Sequence, residues 1–597
     1  MKINPLFLID FYKADHRRQY PEGTTMVYSN FTPRSNKYAY PDSKEIVVFG
    51  IQYFIKEYLI NQWNEGFFKQ PKDQVVSRYT ALMDRALGPG AIESQHIADL
   101  HDLGYLPILL KALPEGTLCP IGIPCLTIVN TDPKFFWLTN YLETLLSNIL
   151  WKPMTSASTA YMYRKEFERH AEKTGSPKDF ICWQGHDFSF RGMSGIEDAC
   201  MSSGGHLISF DGTDTVAAID WIDQYYHADQ FIGGSVPATE HSVMCMGGDG
   251  VGEFETFKRL ITEIYPKGIV SIVSDTWDFW KVMTEYLPAL KDEILARGTI
   301  KYDFEISEEL TTENLNSIYA KCWTIGKHES IFKIGTRFFQ IHDGPEYDSW
   351  VELFETPSRV VIRPDSGDPV DIICGTEKSI IYNDNIDVTQ RVNWTKVDLG
   401  NGFPAKWLVC KGKVYEISTN TNSVSDVKFI ETNFESEQKG AYEILWDTFG
   451  GTINEKGYKV LNPKVGLIYG DSITYQRQKE ILARLEAKGF TASNLVLGIG
   501  SFTYEYVTRD TYGFAMKATY GEINHVGKDI YKDPKTDEGL KKSAKGLLQV
   551  YQEDGVLKLK DQCTWEEAAM SLLNPVFFNG KLLKEESLET IRQRLYN

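Results

Sequence analysis

One pattern recurs along the second half of the chain: a short apolar run ends abruptly in polar residues, and a helical stretch follows several of these runs. The runs lie at 206–214, 270–275, 360–367, 466–471 and 495–500, and helical spacing follows at 216–226, 279–297 and 473–488. Strand, polar end and helix in repetition are typical of a parallel α/β sheet or barrel. Because ligands bind at the carboxyl ends of such strands, we expect these polar ends to form one site.

The first third of the chain follows a different pattern, in which extended segments alternate with long amphipathic helices. One helix is expected over about 44–64, and a second starts at 131–133, where a capping side chain precedes a proline and apolar residues follow at helical spacing from 138 to 149. A third is expected over about 156–174 and should end at Gly175, because glycine is the common residue just past a helix end.

Two stretches, 299–357 and 372–460, interrupt the strand–helix rhythm with alternating runs and turn residues. We interpret both as insertions that contribute surface β-structure. Within the second, residues 407–410 and 413–417 flank Lys411-Gly412 and predict a β-hairpin.

Composition narrows the class of protein. At 597 residues the chain allows about four structural units. Lys and Arg number 63 against 81 Asp and Glu, a net charge of −18, which argues against broad nucleic-acid binding but leaves room for one small basic pocket. No apolar run is long enough to cross a membrane, and the first twenty residues lack the features of a signal peptide. The nine cysteines are scattered and form no CxxC pair, so we expect no disulfide framework and a reducing, cytoplasmic setting.

The polar ends of the runs combine carboxylates, one arginine and several glycines. They are Asp211, Asp214, Asp275, Asp278, Asp365, Asp471, Arg363, Ser366 and the glycines at 212, 367, 470, 498 and 500. Carboxylates bind Mg²⁺ or ribose hydroxyls, while arginine and backbone N–H groups hold phosphate oxygens, so the set suits a phosphorylated sugar. Any single aspartate among them could equally be a helix cap.

Two further blocks could carry chemistry. Residues 186–192 place His186, Phe188 and Arg191 close together, either as an aromatic platform for a flat ring with an arginine on a phosphate, or as an aromatic core pair beside a salt-bridged arginine. Glu240 precedes His241, and a carboxylate can raise imidazole basicity, although neighbours on a helix do not face each other. A P-loop, a complete dinucleotide fingerprint and the HExxH and GxSxG signatures are all missing.

The order of these blocks resembles one family. The matching segments are 10–13, 20–21, 186–192, 212–215, 236–242, 274–275, 362–367, 470–471, 508–510 and 532–534, with Tyr28, Phe31 and Arg34. Together they are similar to the nicotinamide phosphoribosyltransferases, which are type II phosphoribosyltransferases, over nearly the whole chain apart from the two insertions.

The resemblance implies a fold and a reaction. The fold would be an irregular α/β barrel (181–505) with a second domain built from both chain ends (1–180 and 506–597). The reaction would transfer ribosyl-5-phosphate from 5-phosphoribosyl-1-pyrophosphate (PRPP) to the ring nitrogen of nicotinamide, giving nicotinamide mononucleotide and pyrophosphate for NAD salvage. Mg²⁺ would assist, ATP would stimulate by phosphorylating His241, and two subunits would share each active site. No nucleic acid or membrane partner is expected.

Roles carry over by position. Phe188 and Tyr12 of the partner subunit would sandwich the nicotinamide ring, Asp214 would accept a hydrogen bond from the carboxamide, and Arg363 would bridge base and ribose. The ribose and its phosphate would contact Asp365, Gly470, Asp471, Gly500, Ser501 and Arg509 of the partner subunit. The pyrophosphate would contact Arg34, Arg191, His241, Arg363, Lys532 and Lys541. Mg²⁺ would bind near Asp275, and the catalytic set would be His241, Asp275, Asp365 and Arg363.

Some positions depart from the family pattern, and other interpretations stay open. Ser189 replaces a glycine, and Ser501 and Phe502 interrupt a glycine run, so Phe502 must point away from a bound phosphate. Nicotinate phosphoribosyltransferase is the nearest alternative; a buried carboxylate at Asp214 argues against it, because that group would repel nicotinate. A Mg²⁺-dependent sugar-phosphate lyase or isomerase, or a non-catalytic interaction protein on the same scaffold, would explain less of the pattern.

Overall fold

A six-stranded parallel sheet occupies the centre of the computed structural model, which describes the chain except residues 1–2, 229, 308–310, 312–314, 326–329, 342–349, 390–405, 420–426, 471 and 532–543. In spatial order its strands are Gly212–Thr213, Gly185–Asp187, Leu495–Ile499, Val465–Tyr469, Arg359–Arg363 and Ile269–Val273. Gly234 bridges to Gly212 at one edge and Ala238 bridges to Ser271 at the other. This extended segment, residues 234–239, closes the sheet into an irregular barrel, so the predicted fold class is confirmed.

Helices cover the outside of the barrel. Its strands are buried on both faces, as the five buried residues of Val465–Tyr469 illustrate. The covering helices are Val216–Tyr226, Val251–Arg259, Pro369–Cys374, Ala441–Phe449 and Tyr475–Ala487, together with an irregular helical stretch from Phe279 to Ala296. The helices predicted at 216–226, 279–297 and 473–488 are therefore confirmed.

A seven-stranded sheet draws on both ends of the chain. In spatial order its strands are Val526–Asp529, Ala515–Ile523, Thr24–Thr32, Leu126–Asn130, Ile108–Ala112, Asn574–Phe578 and Lys581–Leu582. Neighbouring strands run antiparallel. We call this sheet and the helices packed on it the second domain; its helices include Ile51–Tyr53 with its continuation to Phe68, Lys72–Leu87, Gln95–Leu103 and Leu588–Tyr596.

One long helix, Glu143–Thr174, joins the two cores. Leu146 and Leu150 in its first half pack in the core of the second domain, whereas Tyr163 and Phe167 in its second half pack in the barrel core. The predicted end at Gly175 is confirmed, but the predicted start near residue 156 is too late, because the helix continues through Pro153.

The two insertions each form a small four-stranded sheet. The first contains Phe304–Ile306, Ile331–Ile334, Arg337–Ile341 and Trp350–Leu353, and the second contains Ile380–Tyr382, Trp407–Cys410, Lys413–Thr419 and Val427–Thr432. The predicted hairpin is confirmed, with its turn at Lys411 and Gly412 in left-handed backbone. The predicted boundary at residue 460 is wrong, since the helix Ala441–Phe449 already buries Tyr442 and Leu445 in the barrel core.

Two local predictions are also wrong. The helix expected from residue 44 begins only at Ile51, because Glu45–Val47 form a strand and Gly50 adopts a left-handed φ of 92° where a Cβ would lie 2.5 Å from Pro153. The apolar run at 206–210 is not a strand. The helix Ile196–His206 runs into it, and its Gly205 lets the helix approach Ala157 of the long helix.

All nine cysteines lie in the described part of the chain and are free thiols, as expected. Among the described residues, no helix is both long enough and apolar enough to cross a membrane.

Candidate active site

His186, Asp214 and Ser235 form a first cluster at the carboxyl ends of two neighbouring strands. His186 Nε2 lies 2.9 Å from Asp214 Oδ1, and Ser235 Oγ donates to the same oxygen at 2.8 Å. Burial would raise the pKa of Asp214, but the hydrogen bonds from His186 and Ser235 hold that pKa below its ordinary value. The Asp214 side chain is 45% exposed and that of His186 only 8%. The carboxylate that was expected to be buried is therefore exposed, and the buried member of the pair is the imidazole.

Phe188 and a cavity complete this half of the site. The Phe188 ring centroid lies 4.5 Å from that of His186, at an interplanar angle of 36°. A cavity of about 670 Å³ begins at Phe188, Asp214 and Arg363 and continues between the strands to Arg359 and Asn494 at their amino ends. A flat, apolar ring with one polar substituent fits the mouth of this cavity.

Asp275, His241, Asp365 and Ser366 form a second cluster, at the ends of the last two strands in the spatial order of the sheet. Asp275 Oδ2 accepts hydrogen bonds from Asp365 N at 3.0 Å and Ser366 Oγ at 2.6 Å, and Oδ1 lies 3.2 Å from His241 Nε2. Burial would raise the pKa of Asp275, but the bonds from Ser366, Asp365 and His241 lower it. Asp365 packs on Gly470, where any Cβ would clash with the carboxylate. A larger residue at position 470 would therefore displace the Asp365 carboxylate.

Arg363 lies between the two clusters. Its Nη2 donates to Thr239 O at 2.6 Å, it lines the cavity, and its charge contributes to lowering the pKa of Asp214. One guanidinium can therefore contact a ligand that spans both clusters.

The second cluster meets the requirements of Mg²⁺ in part. Within the described part of the chain, no three His, Cys, Asp or Glu side chains lie close enough to hold a metal ion by themselves. Mg²⁺ is usually held by one or two carboxylates together with substrate phosphates and water. Both Asp275 oxygens accept hydrogen bonds but keep further lone pairs, and residue Asp365 is exposed. The pair therefore suits a Mg²⁺ that arrives with a diphosphate.

Arg191, Gly500 and Ser501 lie beside the first cluster. Arg191 is exposed on the turn Phe190–Gly192, and Gly192 packs so closely on Ser501 that a Cβ would clash with its hydroxyl. Phe502 is 54% exposed and its ring lies 4.7 Å from that of Tyr506.

Tyr12, Arg34 and Arg509 form a separate group on the second domain. Burial and the nearby charge of Arg509 lower the pKa of Arg34. Burial raises the pKa of Tyr12, and the charge of Arg509 partly offsets that rise. None of the three lines the barrel cavity. Asp471, Lys532 and Lys541 lie outside the described residues.

Two of the aspartates named from the strand ends have structural roles. Asp278 accepts a hydrogen bond from Lys281 N at 3.1 Å as a helix cap, and Asp211 lies 3.3 Å from Arg592 of the last helix. Three residues contact the site in ways that the sequence did not indicate: His186 as the partner of Asp214, Ser235, and Ser366, which was named only as one of the polar strand ends. All three lie at or beside a strand end, and that position was the available signal.

The chain is similar to known phosphoribosyltransferases of nicotinate and nicotinamide. Residues 183–330 and 351–581 match the model of the nicotinate phosphoribosyltransferase (NAPRTase) family, and residues 4–73 match that of the nicotinamide phosphoribosyltransferase N-terminal domain. The nicotinamide phosphoribosyltransferase of Acinetobacter baylyi is 47% identical over 597 residues, covering 100% of this chain and 97% of the relative. That of Mycoplasma pneumoniae is 29% identical, covering 92% and 97%. The solved human nicotinic acid phosphoribosyltransferase is 14% identical, with a TM-score of 0.48 over 98% of this chain and 92% of that one.

Proposed function

The chain belongs to the nicotinamide phosphoribosyltransferase family, and from that premise we propose that it transfers the ribosyl-5-phosphate of PRPP to the ring nitrogen of nicotinamide. The products are nicotinamide mononucleotide and pyrophosphate, which makes the reaction a step of NAD salvage. The pyridine nitrogen already has its lone pair, so no strong general base is needed.

The observation that carries this proposal is the environment of Asp214. Its Oδ1 accepts hydrogen bonds from His186 and Ser235, and no described residue hydrogen-bonds its Oδ2. That oxygen can accept from the carboxamide NH₂ of nicotinamide stacked on Phe188. The carboxylate of nicotinate would instead face a negative charge, and such a repulsion is an effective means of discrimination.

Asp365, Arg363 and Asp275 are proposed to act on the other substrate. Asp365 accepts hydrogen bonds from the ribose hydroxyls, Arg363 bridges base and ribose, and Asp275 orients Asp365 through its backbone N–H at 3.0 Å. Mg²⁺ near Asp275 and Asp365 would neutralise charge on the leaving pyrophosphate. Arg191 and the Gly500–Ser501 turn are proposed to contact the phosphates.

His241 is the proposed site of stimulation by ATP. Its side chain is 46% exposed, and Asp275 Oδ1 lies 3.2 Å from its Nε2. A carboxylate in that position orients the ring and leaves Nδ1 as the nitrogen that can take a phosphoryl group.

We also propose a homodimer with shared sites. Tyr12 and Arg509 are exposed and lie away from the cavity of their own chain. A second copy would bring its Tyr12 over the ring on Phe188 and its Arg509 to the 5′-phosphate. The free cysteines suit a reducing compartment such as the cytoplasm.

A paired assay tests the function. Purified protein with PRPP and Mg²⁺ is given nicotinamide or nicotinate, with and without ATP, and mononucleotide formation is followed. We expect turnover of nicotinamide and little of nicotinate. Turnover of nicotinate alone would show that the protein is a nicotinate phosphoribosyltransferase, and turnover of neither base would favour a non-catalytic role.

A further inference from the structure

Asp187 is a fully buried carboxylate that the reaction described above does not use. Its side chain is 0% exposed. Its two oxygens accept five hydrogen bonds, from Ser189 N at 3.0 Å and Ser189 Oγ at 2.6 Å on Oδ1, and from Ser203 Oγ at 2.6 Å, Thr213 Oγ1 at 2.8 Å and Thr215 Oγ1 at 2.8 Å on Oδ2. We call these four donor residues the hydroxyl cage.

The hydroxyl cage stabilises the Asp187 carboxylate in the place of a positively charged partner. Among the described residues, no lysine or arginine pairs with Asp187. A titratable neighbour is His206, whose Nε2 and Nδ1 lie 3.0 Å from Gly212 O and 2.7 Å from Tyr504 OH; burial lowers its pKa to about 4. A buried charge held by four hydroxyls and one backbone N–H depends on each of them, because a lost donor leaves part of the charge unsatisfied. The cage therefore fixes the positions of the segments that supply it.

Those segments are the ones that hold the base. Phe188 follows Asp187 directly, and Asp214 lies between the cage residues Thr213 and Thr215. Asp214 N also donates to Asp187 O at 3.0 Å. Thr213 N donates to Gly234 O at 3.0 Å, immediately before Ser235. Asp187 thus contacts the segment of Asp214 through both its carboxylate and its backbone carbonyl, and Thr213 links that segment to the one that carries Ser235.

We propose that Asp187 is a positioning residue for the base: through its hydroxyl cage it sets the distance and angle between the Phe188 ring and the Asp214 carboxylate. The inference rests on the proposed function, since it names the residue that aligns the base pocket of that same site. It touches neither substrate and acts only through Phe188 and Asp214.

The test is Asp187→Asn, compared with Glu115→Gln as the matched control. Glu115 is also a buried carboxylate, 5% exposed, and accepts hydrogen bonds from Gly50 N, Gln52 N and Tyr226 Oη, but it lies in the second domain. The amide introduced by Asp187→Asn keeps the size of the side chain but cannot accept every bond that the carboxylate accepts. We measure KM for nicotinamide, KM for PRPP, kcat, the preference for nicotinamide over nicotinate, and the melting temperature.

We expect Asp187→Asn to raise KM for nicotinamide by more than about tenfold and to narrow the preference over nicotinate, while KM for PRPP changes by less than about twofold. Glu115→Gln should lower the melting temperature and leave both KM values alone. A fall in melting temperature without the split between the two KM values would overturn the inference and leave Asp187 a structural residue.

Two single-hydroxyl variants keep the inference testable if Asp187→Asn does not fold. Ser203→Ala and Thr215→Val each remove one cage donor, and each should raise KM for nicotinamide by about two- to fivefold without moving KM for PRPP. No change in either variant would overturn the inference. If the wild-type protein used nicotinate instead, the proposed function would fail on its own, and the same rise would be sought in KM for nicotinate.

Discussion

The site contains two histidine–aspartate pairs that are built in opposite ways. In the first, His186 is 8% exposed and Asp214 is 45% exposed, with 2.9 Å between Nε2 and Oδ1. In the second, His241 is 46% exposed and Asp275 is 5% exposed, with 3.2 Å between the same atoms. The atoms that meet are the same, but the more exposed member is the carboxylate in one pair and the imidazole in the other.

The reversed exposure follows from the position of each histidine in the fold. His186 is on the strand Gly185–Asp187, inside the barrel, and can only hold the carboxylate in front of it. His241 begins the helix His241–Gly247 and faces outward, so Asp275 holds it instead. His186 is expected to orient Asp214 in the first pair, and Asp275 is expected to orient His241 in the second, where it is also the proposed neighbour of Mg²⁺. The first pair should therefore govern the base, and the second should govern PRPP and ATP.

The largest expected effect is that of Asp275→Asn. The variant weakens three hydrogen bonds to a charged group at once, those from Asp365 N, Ser366 and His241. We expect kcat/KM for PRPP to fall by about 100-fold or more, since each bond to a charged group contributes about 1.5–3 kcal/mol. Initial rates at varied PRPP measure this.

Asp278→Asn is the matched control for Asp275→Asn, because Asp278 lies three residues further on and only caps the short helix Phe279–Lys281. It should change kcat/KM for PRPP by less than about twofold, the loss being confined to a helix cap. A rise in KM for nicotinamide in Asp275→Asn, with PRPP unaffected, would contradict the division between the pairs.

Asp214→Asn should have the next largest effect. Removal of the charge weakens the bond to the carboxamide and ends the repulsion of nicotinate. We expect kcat/KM for nicotinamide to fall by about 10- to 100-fold and the preference over nicotinate to shrink, because a charge-assisted hydrogen bond is about twice as strong as a neutral one. Kinetics with both bases give the answer.

Asp220→Asn, on the exposed side of the helix Val216–Tyr226, serves as the control for Asp214→Asn. It should leave the preference between the two bases as it is in the wild type. An undiminished preference in Asp214→Asn itself would show that another group excludes nicotinate.

Much of the barrel could be predicted from local sequence. The runs at 270–275, 360–367, 466–471 and 495–500 match the strands Ile269–Val273, Arg359–Arg363, Val465–Tyr469 and Leu495–Ile499. A buried parallel strand is a continuous apolar run, and the residues that follow it must lie at one end of the sheet. For the same reason Asp275, Arg363 and Asp365 could be placed at the site.

What could not be predicted depends on contacts between distant segments. His186 and Asp214 are 28 residues apart in sequence, and nothing local indicates that they meet. Likewise, the apolar run at 206–210 looks like a strand, but it is buried between helices. Closure of the barrel by residues 234–239 needs only two isolated bridges, which leave no apolar periodicity to detect.

His241→Gln sharpens the comparison with a smaller effect on the basal reaction. Without an imidazole there is no nitrogen to phosphorylate, so ATP should no longer stimulate, while the rate without ATP falls by less than about tenfold, the loss of one hydrogen bond. His186→Gln should behave in the opposite way, with a raised KM for nicotinamide and an unchanged ratio of rates with and without ATP. The measurement is the reaction rate at fixed substrate concentrations across a series of ATP concentrations. Stimulation by ATP that persists in His241→Gln would show that His241 is not the phosphorylated residue.

Ser235→Ala should have the smallest effect. Asp214 Oδ1 keeps its bond from His186 at 2.9 Å and loses only the one from Ser235 at 2.8 Å. We expect KM for nicotinamide to rise by about fivefold, equivalent to about 1 kcal/mol for one hydrogen bond, with KM for PRPP unchanged. Ser242→Ala is the matched control, because the Ser242 hydroxyl contacts Glu240, next to His241 of the second pair. It should leave KM for nicotinamide unchanged. If Ser235→Ala impaired the reaction with nicotinamide as much as Asp214→Asn, then Ser235, and not the buried His186, would be the main hydrogen-bond donor that orients the Asp214 carboxylate. The contrast between the two histidine–aspartate pairs would then fail.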